Sequence, residues 1–128
     1  MKVLADTHAF LWWIVDDNRL SKRARGVFAS TTNQVFLSAA SVFEIALKVR
    51  IGKLKLRHPT ADFLHQEMSL NRILPLPITF QHSAAVLGLP TLHTDPFDLL
   101  LIAQSQVEGI PILTDDAQIQ RFPIETIW

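Results

Sequence analysis

Short, continuously apolar runs alternate with helix-patterned stretches along this whole chain. No other feature constrains the fold as much. Strands separated by helices pair in parallel, and a parallel sheet must be covered by helices on both faces. Lys2–Asp6, Val35–Ser38, Ile73–Leu76, Pro111–Thr114 and Glu125–Trp128 read as strands. Their unbroken apolar character is that of strands buried on both sides. Between them, Thr7–Val15, Ser21–Ser30, Ser41–Ile51, Thr60–Asn71, Thr79–Leu87 and Asp95–Val107 read as helices, with one or two further turns over Asp116–Arg121. Ser21 is a helix cap, and Gly52, Gly88 and Gly109 are stop signals. The expected fold class is therefore α/β, with a short central parallel sheet. At 128 residues, positions 1–128 are expected to form one domain.

Composition removes other classes. Hydrophobic residues make up 48% of the chain and formal net charge is zero. That is not the signature of disorder, nor of bulk attraction to polyanions or membranes. Cysteine is absent, which excludes a disulfide framework, a thiolate zinc site and a cysteine nucleophile. No apolar run is long enough to span a bilayer, and Asp6 breaks the first one too early for a signal peptide. The expected location is cytoplasmic. Charge is nevertheless unevenly placed. Nine bases and one acid, Glu44, lie between Arg19 and Arg57; six acids and one base, Arg121, lie from Pro90 onward. Such asymmetry marks either a polyanion-binding surface beside an acidic site or ordinary solvated helix faces.

In open parallel sheets, sites form beyond the carboxyl ends of the strands. Asp6 ends the first strand, and Asp115 and Asp116 follow the fourth. Glu44 lies in the helix after the second strand, and Asp98 in the first turn of a later helix. Each has a structural reading. Asp6 can cap the helix it precedes. Glu44 can close a capping box with Ser41 and pair with Lys48 on a polar stripe, or else face a polar cleft. Asp95, followed by Pro96, is a strong helix start. One of Asp115 and Asp116 can cap the last short helix. Taken jointly, Asp6, Glu44, Asp98 and one of the Asp115–Asp116 pair form a cluster whose repulsion needs cations. Oxygen donors without cysteine or paired histidine suit Mg²⁺, and paired ions suit phosphodiester displacement.

The histidines His8, His58, His65, His82 and His93 show no zinc spacing and read as surface or packing residues, with His8 and His93 noted for their acidic neighbours. There is no G-x-S-x-G elbow and no phosphate-binding glycine loop. The run Phe10–Trp13 reads as core or dimer surface in preference to a base-stacking platform.

Leu4-Ala5-Asp6-Thr7-His8, Ser41-Val42-Phe43-Glu44-Ile45, His93-Thr94-Asp95-Pro96-Phe97-Asp98 and Leu113-Thr114-Asp115-Asp116 together resemble the PIN-domain nucleases. The nearest resemblance is to the VapC-type toxins of bacterial toxin–antitoxin pairs, in the subgroup with an H-x-D-P-F-D-R block. The resemblance spans essentially the whole chain. It implies a three-layer α/β/α sandwich and an endoribonuclease dependent on Mg²⁺ or Mn²⁺. Asp6, Glu44, Asp98 and Asp116 then match the family's catalytic, metal-holding acids, with Thr114, Asp95 and Thr7 in support. It also implies a homodimer silenced by a VapB-like antitoxin, with no membrane attachment. Lys48, Arg50, Lys53 and Lys55 would hold the RNA backbone. The family's arginine after the second Asp of the block is replaced here by Leu99. The alternative reading is a PIN-like module that binds RNA or a partner without cutting. A haloacid-dehalogenase-type phosphatase would need a second Asp where His8 stands, and a receiver domain would need a phosphoacceptor Asp ending its third strand.

Overall fold

The computed structural model describes residues 1–92 and 95–128. In chain order the elements are β1 (Lys2–Ala5), α1 (Thr7–Ile14), α2 (Lys22–Ala29), β2 (Gln34–Ser38), α3 (Ala39–Arg50), α4 (Ala61–Leu70), β3 (Ile73–Leu76), α5 (Phe80–Ala85) with a 3₁₀ turn over Val86–Gly88, α6 (Pro96–Glu108), β4 (Ile112–Leu113), α7 (Ala117–Gln120) and β5 (Thr126–Ile127). All five strands are parallel, in the order β3-β2-β1-β4-β5.

Side chains alternate across the sheet, as the pleat requires. Val3, Ala5, Val35, Leu37 and Leu113 enter one core, with Phe10, Phe28, Ile45 and Met68 from the helices on that face. Leu4 and Ile112 enter the other, with Leu101 and Ile102 of α6, Ile119 of α7 and Phe122 just after it. This is the expected three-layer arrangement, with helices on both faces of a short parallel sheet.

Local chemistry sets the element ends. Ser21 caps α2, its hydroxyl accepting the Ala24 N–H at 3.0 Å. Asp95 caps α6, accepting the Phe97 and Asp98 N–H groups at 2.9 and 3.0 Å, with Pro96 in the first turn. Gly109 ends α6 at φ 66°, and Gly52 follows α3 at φ 78°, left-handed positions that favour glycine. Two expectations fail. Helix α3 starts at Ala39, not Ser41, because the Ser38 hydroxyl accepts the Ala40 N–H and begins the helix directly from the strand. Ser41 therefore lies inside α3 and forms no capping box with Glu44. The stripe it shares with Glu44 is not a surface feature, since both residues are buried. His82 is a packing residue: its Nδ1 accepts the Thr79 N–H at 3.0 Å, and its Nε2 meets Glu108 at 2.9 Å.

Candidate active site

The strand order reverses at the centre of the sheet. The chain steps from β1 through β2 to β3 on one side, then returns to lay β4 and β5 on the other. A crevice forms where the connections diverge, beyond the carboxyl ends of β1 and β4. Those ends carry Asp6 and Thr114.

Asp6 is 3% exposed. Its N–H donates to the Leu113 carbonyl at 3.0 Å, continuing the β1–β4 ladder. Its backbone stands at the start of α1, yet its side chain makes no capping bond. Oδ2 instead accepts the Thr114 hydroxyl at 2.8 Å, across the crevice. The same Thr114 oxygen accepts the Asp116 N–H at 3.0 Å. Asp116 caps α7, its Oδ1 accepting the Gln118 N–H at 2.8 Å. Of the adjacent acids it is Asp116 that caps, while Asp115 is exposed. Burial pushes the Asp6 carboxyl above the usual carboxylate range, and the charge of Asp116 adds to this. The Thr114 hydroxyl and the His8 ring pull the other way. Asp6, Thr114 and Asp116 thus form one hydrogen-bonded, electrostatically linked group.

The helix-borne acids are held differently. Glu44, 5% exposed, projects from α3 and receives the Lys48 ammonium at 2.6 Å, the expected i, i+4 pair. Thr7, the first residue of α1, favours the charged Asp6 carboxyl through its backbone N–H, while its hydroxyl donates to Ser41 Oγ at 2.8 Å. That buried bond ties α1 to α3 one turn before Glu44. Asp98 lies in the first turn of α6, half-buried. The preceding Phe97 packs edge-on against Phe43 of α3 at 5.9 Å, which sets the starts of α6 and α3 side by side. Asp95 is occupied as the cap of α6. His93 and Thr94 lie outside the described residues. Sequence reasoning cast Ser41 as a cap and so missed its part in bracing α3; a hydroxyl on the buried stripe with Glu44 was the available signal.

Among the described residues, no three Asp, Glu or His side chains stand together as a ready-made cation cage. The donors present are carboxylate and hydroxyl oxygens, the chemistry of a hard divalent cation that retains several waters. Arg50, Lys53 and Lys55 are exposed at and after the end of α3, and Lys48 is committed to Glu44.

A groove of about 920 Å³ runs between α3, α4 and β3. Val42, Ala46, Val49, Leu64, Met68 and Ile73 are among its lining residues, with Arg50 and His65 also there. Along α3, Phe43, Leu47 and Ile51 are also exposed at i, i+4 and i+8. The helix is thus apolar on nearly every side, the pattern of a covered helix.

The PIN domain family model matches residues 3–125. The chain belongs to the PIN-domain family. Ribonuclease VapC22 of Mycobacterium tuberculosis (strain ATCC 25618 / H37Rv) is 28% identical over 130 residues, covering 98% of each chain. Ribonuclease VapC16 of the same organism is 35% identical over 60 residues, 47% of this chain and 43% of that one. Among solved structures, VapBC2 from Rickettsia felis, bound to a DNA fragment from its promoter, superposes with a TM-score of 0.73 at 15% identity, covering 99% of this chain and 98% of that one. DNA-bound VapBC from Salmonella typhimurium gives 0.70 at 17% identity, covering 99% and 97%. The five-stranded parallel sheet and its flanking helices are those of the PIN fold.

Proposed function

We propose that this PIN domain is the ribonuclease toxin of a toxin–antitoxin pair, cutting RNA phosphodiester bonds with Mg²⁺ or Mn²⁺. The single observation that carries the reading is the convergence of Asp6, Thr114 and Asp116 at the switch point of the sheet. A buried carboxylate held there above its ordinary pKa beside a second acid is the environment a cation relieves. The resemblance to two ribonucleases named VapC supports the same substrate class.

Asp6, Glu44, Asp98 and Asp116 are the residues that would hold the ion. When bound, it supplies charge that stabilises the phosphate as negative charge develops during hydrolysis. The chain's own residues position the donors. Thr114 fixes the rotation of Asp6 by donating to one carboxylate oxygen. The Asp116 N–H holds Thr114, so one hydroxyl orients two elements. Thr7 and Ser41 lock α3, and with it Glu44, against the start of α1. Lys48 balances the Glu44 charge, and Arg50, Lys53 and Lys55 attract the RNA backbone, giving salt-dependent binding.

A VapB-like antitoxin fits the α3–α4 groove, whose apolar walls suit an amphipathic segment. The chain acts as a homodimer and as one domain in this reading. The H-x-D-P-F-D subgroup assignment rests on Asp95, Pro96, Phe97 and Asp98, with Leu99 in the arginine position. That replacement is the one feature favouring a module that binds RNA without cutting.

The deciding experiment is cleavage of a structured RNA by the purified chain with Mg²⁺ or Mn²⁺, beside EDTA, Asp6→Asn and Asp98→Asn. Metal-dependent cutting lost in both variants is the expected result. Cutting that survives both variants overturns the site, and RNA binding without cutting by the parent supports the binding module.

A further inference from the structure

At the edge of the core on the α1 face lies a group of rings, Trp12 and Trp128 among them, that pack against the core yet stay half-buried. Trp13 is structural: it stacks on Phe28 at 5.0 Å and 6°, and its indole N–H donates to Asn71 at 2.9 Å. Its neighbour Trp12 is placed otherwise. Trp12 meets the exposed His8 ring at 5.8 Å and the half-buried Trp128 at 5.9 Å. His8 follows Asp6 by two residues, and Trp128 follows β5 directly, so both sit at the carboxyl end of the sheet. Helical side chains lean toward the helix start, which carries Trp12 toward the same end.

Arg19 completes the group. Its guanidinium carbon lies 4.9 Å over the Trp12 ring. Asp17 grips the fork from the side, accepting Nε at 3.1 Å and Nη2 at 2.8 Å. Arg19 in turn holds the Asp17 carboxyl down at about 2, so the grip persists at neutral pH. The guanidinium is thus fixed by Trp12 and Asp17, while its side chain remains 68% exposed. A fixed, solvent-facing guanidinium plane backed by indole is a surface on which an unpaired base stacks.

We propose that Arg19, Trp12, Trp128 and His8 form a stacking platform for an unpaired nucleobase of the RNA, next to the bond cut at the acidic crevice. The platform rests on the ribonuclease reading for its substrate class. It implies that this enzyme requires a single-stranded or looped nucleotide beside the cleavage point. The departure from the core reading is specific to Trp12: Phe10 is buried and Trp13 packs on Phe28, while Trp12, half-buried at the core edge, meets His8, Trp128 and Arg19.

The test uses the full chain carrying Asp98→Asn, so that RNA stays intact, with oligouridine, oligoadenosine and abasic oligomers of the same length. Base-bearing oligomers should quench indole fluorescence and abasic ones should not. Trp128→Leu and Arg19→Lys should each weaken binding about tenfold, the scale of one stacked base. Arg19→Lys keeps the charge and loses the plane, so the salt dependence should be unchanged. Trp12→Phe should retain most binding. Equal binding of abasic oligomers, no binding of any oligomer, or unchanged affinity in Trp128→Leu and Arg19→Lys overturns the platform. So does a change of oligomeric state in these variants with RNA binding intact, which would assign the face to a protein contact. Cleavage by the otherwise unaltered chain separates the two readings. No cutting with base-dependent quenching intact overturns the nuclease alone. Cutting whose KM is unmoved by Trp128→Leu overturns the platform alone.

Discussion

The four acids proposed to hold the ion fall into two halves that are built differently. Asp6 is set by a strand end, where a ladder hydrogen bond to Leu113 fixes its backbone, and Asp116 is tied to it through the Thr114 hydroxyl, which accepts the Asp116 N–H and donates to Asp6. Glu44 and Asp98 ride on helices whose mutual position depends on packing, through Phe43 against Phe97 and Thr7 against Ser41. Among the described residues, the strand half keeps Asp6 buried without a basic hydrogen-bond partner, whereas the helix half satisfies Glu44 with Lys48. The comparison teaches where charge tension is stored. It is held where the Thr114 hydroxyl ties both acids to the end of the sheet, so Asp6 and Asp116 cannot move apart without breaking that link.

The largest expected effect tests whether the halves act together. Asp6→Asn and Asp98→Asn should each reduce metal-dependent RNA cleavage by about a thousandfold or more, the scale of losing a group that acts in the transition state. A large loss in only one variant would show that a single half suffices. Thr114→Val comes next. It removes the hydroxyl partner of the buried Asp6 carboxylate and of the Asp116 N–H, costing about 1–3 kcal/mol in chemical denaturation. Cleavage should fall about 10- to 100-fold, as when a residue that orients a metal ligand is lost.

A third prediction concerns pH. The folded state raises the Asp6 pKa above 3.8, so it favours the protonated carboxyl. Stability from this group is fully present below 3.8 and is lost as pH rises through the raised value. Asp6→Asn does not titrate. In EDTA its melting temperature should therefore exceed the parent's at neutral pH, with the gap closing in acid; Mg²⁺ should narrow the neutral gap by stabilising the parent. A constant gap across pH would remove the claimed tension from the strand half. The smallest effect is expected in the helix half. Lys48 is 41% exposed, so solvent screens its pair with Glu44. Lys48→Met should cost less than about 1 kcal/mol by denaturant titration. A larger loss would show that Glu44 is as constrained as Asp6.

The sequence by itself determined the sheet and its covering. Unbroken apolar runs at Val3–Ala5, Val35–Leu37 and Ile112–Leu113 can satisfy burial only between two helical layers, and Asp95, Pro96 and Gly109 set the ends of α6 by local chemistry alone. The acids that follow the strands were legible for the same reason: strand ends are where an open parallel sheet exposes its crevice. Tertiary structure alone decided what those acids touch. The Asp6 side chain was free, on sequence grounds, to cap α1; only the approach of β4, more than a hundred residues away, offered the Thr114 hydroxyl instead. Ser41 and Thr7 carried the same ambiguity until α3 packed against α1. Trp12 and Trp13 are adjacent and chemically identical, yet Trp13 packs on Phe28 and Trp12 backs Arg19. Neighbours on a helix point about 100° apart, and what each meets is fixed by elements distant in the chain.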